Sequence, residues 1–392
     1  MQDLALLNAY NSKDIEDVSL KVINSGYIAS GEYVAQFESG LSKLLNQEHV
    51  VTTSDMTSAI NLALHMSDVR ANDEVLTTSF ACMATNSPIA AIGAKAVWID
   101  LEPHSIFLDP EKFEQSITDK TKAAIVYHVA GYPGHIKIIS DICRKHNITL
   151  IEDCDNALLA KVDGQYVGSF GDFAVFSFYP NRQINTFEGG ALVCKSALAA
   201  NKARKLRRFG IDFSTFRNIE GGINPLSDIP EVGWSISLNN LCSAAGSVQI
   251  ETVETRIGAS RANAIFLRSK LSAHAGIHVI KPLEGTNPAY WVFLIRVEKR
   301  DEVIKKLKLQ GIHSSTLHYR NDQYSCFQTE ASSELPNTKK LQESILALPC
   351  GWWLKEKDLN RIVSVLFEAI SLSKSIEIEF SGRVLEIEGL KG

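Results

Sequence analysis

Three short segments hold the side chains best suited to chemistry. Residues 149–153, TLIED, close an apolar run on two carboxylates, Glu152 and Asp153. Residues 173–178, FAVFSF, reach Ser177 and then break at Tyr179-Pro180 into a polar turn. That turn carries one cation, Arg182, and ends at Glu188-Gly189-Gly190. Residues 52–66, TTSDMTSAINLALHM, set Thr52, Thr53, Ser54, Asp55, Thr57 and Ser58 ahead of an apolar helical pattern. A helix start with free backbone N–H groups and several hydroxyls suits an anion. Each segment also has a plainer reading. Hydroxyls before a helix are common N-caps, strand-end aspartates are common turn residues, and loop arginines are commonly solvated.

The elements that must position these groups alternate along the chain. Apolar runs rich in β-branched residues occur at 74–78, 96–100, 123–129, 149–153, 173–178 and 191–194. Amphipathic helical segments separate several of them, as at 109–117 and 136–146. Buried strands interleaved with helices predict an α/β domain with a large, mostly parallel sheet. In such a sheet, ligands collect at the carboxyl ends of the strands, where Asp153 and Ser177 fall. Residues 238–271 read as helix almost throughout, leading into a smaller α+β domain. There 291–297 is a predicted strand, and 301–309 and 359–373 are predicted helices. The expected division is 1–250 and 251–392, with a terminal hairpin over 376–389.

Composition narrows the class. The 392 residues carry a formal charge of −5, with no basic stripe, so nothing recommends nucleic acid or an anionic membrane as partner. No apolar run approaches the ~20 residues of a membrane helix, and the first residues lack a cationic, apolar leader. Seven cysteines are scattered singly with no CxxC pair, which argues against a zinc site or disulfide framework and for a reducing cytoplasm.

Taken in order, the segments resemble the DegT/DnrJ/EryC1/StrS group of pyridoxal-phosphate sugar aminotransferases. SGYIASGEYVAQFESGLSKLL (25–45), TSDMTSAINLAL (53–64), AIGAKAVWIDLEP (91–103) and IEDCDNALLAKVDGQYVGSFGDFAVFSF (151–178) carry the likeness. So do EGGALV (188–193), GWSISLNNLCSAAGSVQIE (233–251) and LPCGWW (348–353). The resemblance implies the PLP-dependent type I aminotransferase fold, a homodimer with interface contributions from 238–250, and a nucleotide sugar as small-molecule ligand.

It also implies roles residue by residue. Asp153 matches the aspartate that pairs with the pyridinium nitrogen. Thr57, with the backbone of Ser58, and Ser177 match the phosphate ligands. Asn156 stands where a Gln or His follows that aspartate. His318 and Tyr319, in STLHYRNDQYSCF (315–327), match part of a substrate loop, although Asn321 and Gln323 replace its proline and second histidine. Other positions depart from the pattern. Met56 replaces a phosphate-loop glycine, Cys82 an aromatic that stacks on the ring, and Ser235 and Ser237 an asparagine and an arginine. Above all, Arg182 stands at the Schiff-base lysine.

That change bears on mechanism. Transamination needs an amine that loses its proton part of the time, forms an imine and shuttles a proton. A guanidinium stays protonated and does not condense with the aldehyde. No lysine lies between Lys161 and Lys195 to replace it. Four readings stay open. The chain is a non-transaminating binding or structural member, working alone or beside an active paralogue. Or it uses pyridoxal or pyridoxamine phosphate without covalent attachment, as dehydratases of the group do with a histidine; His128 and Tyr179 are then the candidate bases. Or Arg182 grips a different anionic ligand in place of the cofactor. Or the arginine was introduced into an active aminotransferase, against which Met56 and Cys82 argue. No metal site is expected.

Overall fold

The computed structural model describes residues 3–327 and 334–371. Its centre is a seven-stranded sheet. The strands are β1 (Val50–Thr53), β2 (Glu74–Thr77), β3 (Lys95–Trp98), β4 (Thr121–Tyr127), β5 (Thr149–Asp153), β8 (Phe173–Ser177) and β9 (Gly190–Cys194), with β6 (Lys161–Val162) and β7 (Gln165–Tyr166) forming a small hairpin between β5 and β8. The spatial order is β1-β9-β8-β5-β4-β2-β3. From β3 to β8 all pairings are parallel, whereas β9 runs antiparallel to β8 and to β1. The expected α/β class with a large, mostly parallel sheet is what the chain forms.

Why these segments become central strands follows from burial. β5, β8 and β9 are buried along nearly their whole length, and helices cover both faces, as a parallel sheet requires. On one side, α3 (Met56–Met66) and α7 (Ala197–Leu206) pack Ile60, Leu64 and Ala203 against Val75, Ile125, Ile151 and Val175. On the other, α2 (Glu32–Leu45), α6 (Ile136–Lys145) and α9 (Val253–Leu271) close over Leu76, Ala124, Leu150 and Phe176. Helices α1 (Lys13–Ser25), α4 (Met83–Ala91), α5 (Pro110–Gln115) and α8 (Asn240–Ser247) complete this half.

The order in which strands are added reverses at β2, while all stay parallel there. The chain steps outward to β3, then β4, β5 and β8 build on the opposite side. That switch opens a crevice at the carboxyl ends of β2, β4 and β5.

The predicted helix over 238–271 is two helices, α8 and α9, broken at 248–252. Gln249 occupies the break, and its side chain bonds Asn185 on both sides of the amide. After α9 come β10 (His278–Val279), β11 (Thr286–Asn287), β12 (Phe293–Arg296), α10 (Arg300–Leu309), α11 (Pro336–Ser344), β13 (Ile345–Leu348) and a helix over 356–371. β10, β12 and β13 form a second, antiparallel sheet. Several contacts tie the halves together, among them the pairing of β11 with β6 and of Leu4 with residues 311–313. The hairpin expected over 376–389 lies outside the described residues.

Candidate active site

The crevice gathers residues from β4, β5, α4, the Arg182 turn and the loop carrying His318. Asp153, the last residue of β5, is fully buried. One carboxylate oxygen accepts the Thr85 hydroxyl at 2.7 Å, and the other accepts the Asp155 backbone N–H at 3.0 Å. Burial, then the nearby Asp155 carboxylate, push its pKa up to about 7. An acid in that condition favours a cationic partner, because a positive charge would restore its ionised form.

Arg182 is buried and held on three sides. Its Nε and Nη2 both donate to the Asp155 carboxylate, the second at 2.8 Å, and Nη1 donates to Asn181. The guanidinium carbon lies 4.6 Å from the ring centroid of Trp291, whose Nε1 donates to the Asn181 carbonyl. Burial opposes the guanidinium's charge, but Asp155 outweighs it and the pKa lies above its ordinary value. The fork expected to be available for an outside anion is therefore occupied by a carboxylate of the chain itself.

The turn that carries Arg182 is pinned throughout. Gln183 donates to the Asn156 carbonyl, Arg256 of α9 donates to the Gln183 carbonyl, and the Asn185 N–H donates to Gln249. Gly190 follows because the chain grazes the start of α3. A Cβ there would stand 2.5–2.6 Å from backbone atoms of Asp55 and Met56.

Tyr127 and His318 close one wall. The Tyr127 hydroxyl donates to Asn156 Oδ1 at 2.5 Å, accepts the Ala130 N–H, and lies 3.1 Å from His318 Nε2. Burial lowers the His318 pKa to about 4, with Asp155 opposing and Arg182 reinforcing the shift, so its imidazole is neutral at physiological pH. Burial, with Asp155 and Asp153, raises the Tyr127 phenol well above its usual range. Asn156 Nδ2 is buried and has no hydrogen-bond partner among the described residues.

The helix start at α3 differs from the open cradle expected. Asp55 is its N-cap: one carboxylate oxygen accepts the Ser58 N–H at 2.7 Å, the other the hydroxyls of Ser54 and Ser58. Ser58 thus has its N–H engaged, while the Thr57 hydroxyl bonds no other group among the described residues. Ser177 Oγ accepts the Tyr179 N–H at 3.3 Å. Of the departures from the pattern, Cys82 faces this crevice. Burial raises its thiol pKa, and Asp155, Arg182 and Asp153 act on it as well. Ser235 and Ser237 instead lie beside Arg208 and the Arg207 carbonyl.

The two proposed bases differ in placement, His128 behind β5 and Tyr179 in the Arg182 turn, where its carbonyl accepts the Arg182 N–H. His128 is fully buried, with Nε2 on Glu152 at 3.3 Å and Nδ1 accepting the Gly134 N–H. Glu152 also accepts the N–H groups of Gly168, Phe170 and Gly171, so this pair supports the loop after β7. Cys154 lies close to both, yet these hydrogen bonds already account for the carboxylate and the imidazole. Tyr179 is about half exposed at the turn, and Tyr319 is exposed beside Tyr324.

The cofactor's requirements can be set against these groups. Asp153 with its raised pKa fits a pyridinium nitrogen, the orphaned Asn156 amide fits an acceptor oxygen, and the Thr57 and Ser177 hydroxyls fit a phosphate. What the site lacks is an amine at position 182.

The comparisons with known proteins agree with this architecture. The DegT/DnrJ/EryC1/StrS aminotransferase family matches residues 10–367. The chain belongs to that family. It is 33% identical over 282 residues to a GDP-perosamine synthase of Vibrio cholerae, covering 72% of this chain and 74% of that one. It is 28% identical to a protein of Geobacillus stearothermophilus named pleiotropic regulatory protein, covering 94% and 97%. The crystal structure of AtS13 from Actinomadura melliaura superimposes with a TM-score of 0.88 at 29% identity, covering 93% and 98%. The family is dependent on pyridoxal or pyridoxamine phosphate, and relatives of this fold are known in both forms.

Proposed function

We propose that this chain is a sugar-aminotransferase homologue that does not transaminate and acts by binding. The observation that carries the reading is the buried Arg182–Asp155 pair. Where the chemistry requires an amine that can lose its proton, the chain places a permanently charged guanidinium neutralised by its own carboxylate. The same pair supports the arginine as native, since Asp155 and Trp291 together accommodate it. The ligand class is a nucleotide sugar, in keeping with the GDP-perosamine synthase similarity. The setting is cytoplasmic, in keeping with seven free cysteines.

The working form is a homodimer, or a dimer with an active paralogue. Leu20, Ile23 and Tyr27 near α1, and Phe213, Ile219, Ile223, Leu226 and Val232 in the segment before α8, are exposed apolar side chains. Such density suits a second copy.

The test is direct. The protein, supplied with pyridoxal phosphate, L-glutamate and keto sugars carried on GDP, UDP or TDP, is expected to bind a nucleotide sugar in calorimetry and to yield no amino sugar by mass spectrometry. Amino-sugar formation at enzymatic rates overturns the reading.

A second reading has its own support: the cofactor is retained without a covalent bond. Asp153 near pKa 7 and the Asn156 Nδ2 group, without a partner among the described residues, are both groups that the bound cofactor would satisfy. Its function would be to supply an electron sink. Thr57 and Ser177 would hold the phosphate, Asp153 the ring nitrogen, and the neutral His318, bonded to Tyr127, would hold or accept a proton. Native mass spectrometry showing a cofactor that is lost on denaturation supports this reading.

A further inference from the structure

We propose that Asp155 is the residue that keeps an amine at position 182 from acting as a nucleophile, so that Arg182 and Asp155 are one device and not two independent changes. The inference rests on the proposed loss of transamination and adds to the Arg182 guanidinium a second residue that would block an amine restored there.

The geometry comes first. Asp155 lies two residues beyond the end of β5, is almost wholly buried, and directs both carboxylate oxygens at Arg182. Its own N–H is tied to Asp153, which fixes the carboxylate's base. Among the described residues, neither of its oxygens has a hydrogen-bond donor other than Arg182. Its carboxylate is also the strongest charge acting on Arg182 and the first charge acting on Asp153 and Tyr127.

The consequence concerns any lysine placed there. Arg182→Lys would set an ammonium against a buried carboxylate with no other donor. An opposite charge at that range favours the charged form of both partners. The ammonium would stay protonated, and a protonated amine has no lone pair with which to attack. Imine formation requires the neutral amine: its lone pair forms a bond to the aldehyde carbon, the C=O bond breaks, and the oxygen leaves as water with the two amine hydrogens. With Asp155 in place that sequence stops before its first bond. With Asp155 also removed, burial works in the other direction and lowers the amine's pKa. A single reversion at position 182 thus differs from a double one.

The experiment compares wild type, Arg182→Lys, Asp155→Ala/Arg182→Lys and Asp155→Asn/Arg182→Lys. Each full-length chain is incubated with pyridoxal phosphate, reduced with borohydride, denatured and weighed, with the adduct mapped by peptide to position 182. The neutral, near-isosteric Asp155→Asn pair guards against a double variant that fails to fold. The expected result at pH 7.5 is at least about tenfold more adduct at position 182 in a double variant than in Arg182→Lys, with none in wild type. The adduct of Arg182→Lys should appear only at a pH higher by about 2 units or more. Equal labelling of the single and double variants overturns the proposal, and so does a folded double variant that takes no label. A wild-type chain that transaminates would overturn the functional reading instead, and leaves this comparison standing.

Discussion

Arg182 and Asp155 are separated by 27 residues in sequence and joined by a two-pronged hydrogen bond in a buried crevice, beneath the indole of Trp291. Planar carboxylate and planar guanidinium meet edge to edge, a geometry that lysine cannot reproduce. Asp155→Ala should leave the guanidinium buried without a counter-charge. The expected loss is about 3–5 kcal/mol in urea unfolding, the range for breaking one side of a buried pair. A loss under ~1 kcal/mol would mean that Arg182 escapes to solvent.

The pH dependence of stability should contain two opposed parts. The folded-state pKa of Asp153 is about 7, above its ordinary value, so between pH 4 and 7 the native chain holds a proton that the unfolded chain lacks; stability from this group rises as pH falls. The folded-state pKa of His318 is about 4, below its ordinary 6.5, so between pH 6.5 and 4 the unfolded chain takes the proton and stability falls. The two offset each other in the shared window. Asp153→Asn should expose a loss of stability on acidification, and His318→Gln a gain. Denaturation series from pH 4 to 7.5 distinguish them, and identical slopes in both variants would refute the assignment.

Tyr127→Phe removes one hydroxyl that serves Asn156, Ala130 and His318. Leaving buried groups unpaired costs about 1–3 kcal/mol. The His318 ring should also lose its tether, visible as a shift and broadening of its NMR signals. Unchanged His318 signals would contradict the contact.

Gly190→Ala drives a Cβ into the backbone of Asp55 and Met56 at 2.5–2.6 Å. None of these atoms belongs to a flexible side chain, so β9 or the start of α3 must shift, at about 1–3 kcal/mol. Thermal unfolding checks the size, and a neutral effect would show that the turn has slack.

The sheet was legible because its strands are apolar runs bounded by turn residues. β1 was not, because VVTT reads as the polar approach to α3 when its partner β9 is unknown. At the site, strand-end position pointed to Asp153 and Ser177, and the lysine position to Arg182. Alternation carried a signal left unused: Tyr127 is the register partner of Asp153 in parallel strands and so shares its face, whereas His128 does not. Asp155 was hidden differently. In IEDCDN its charge looks like one more strand-end carboxylate, and pairing across 27 residues leaves no spacing to read.

The most direct test of the account is the first half-reaction in wild type. The chain is mixed with pyridoxal phosphate and L-glutamate, and pyridoxamine phosphate and 2-oxoglutarate are measured over time against cofactor and glutamate alone. The account expects no formation above that background. Stoichiometric conversion within minutes would show that a group other than position 182 supplies the amine chemistry, and would contradict it.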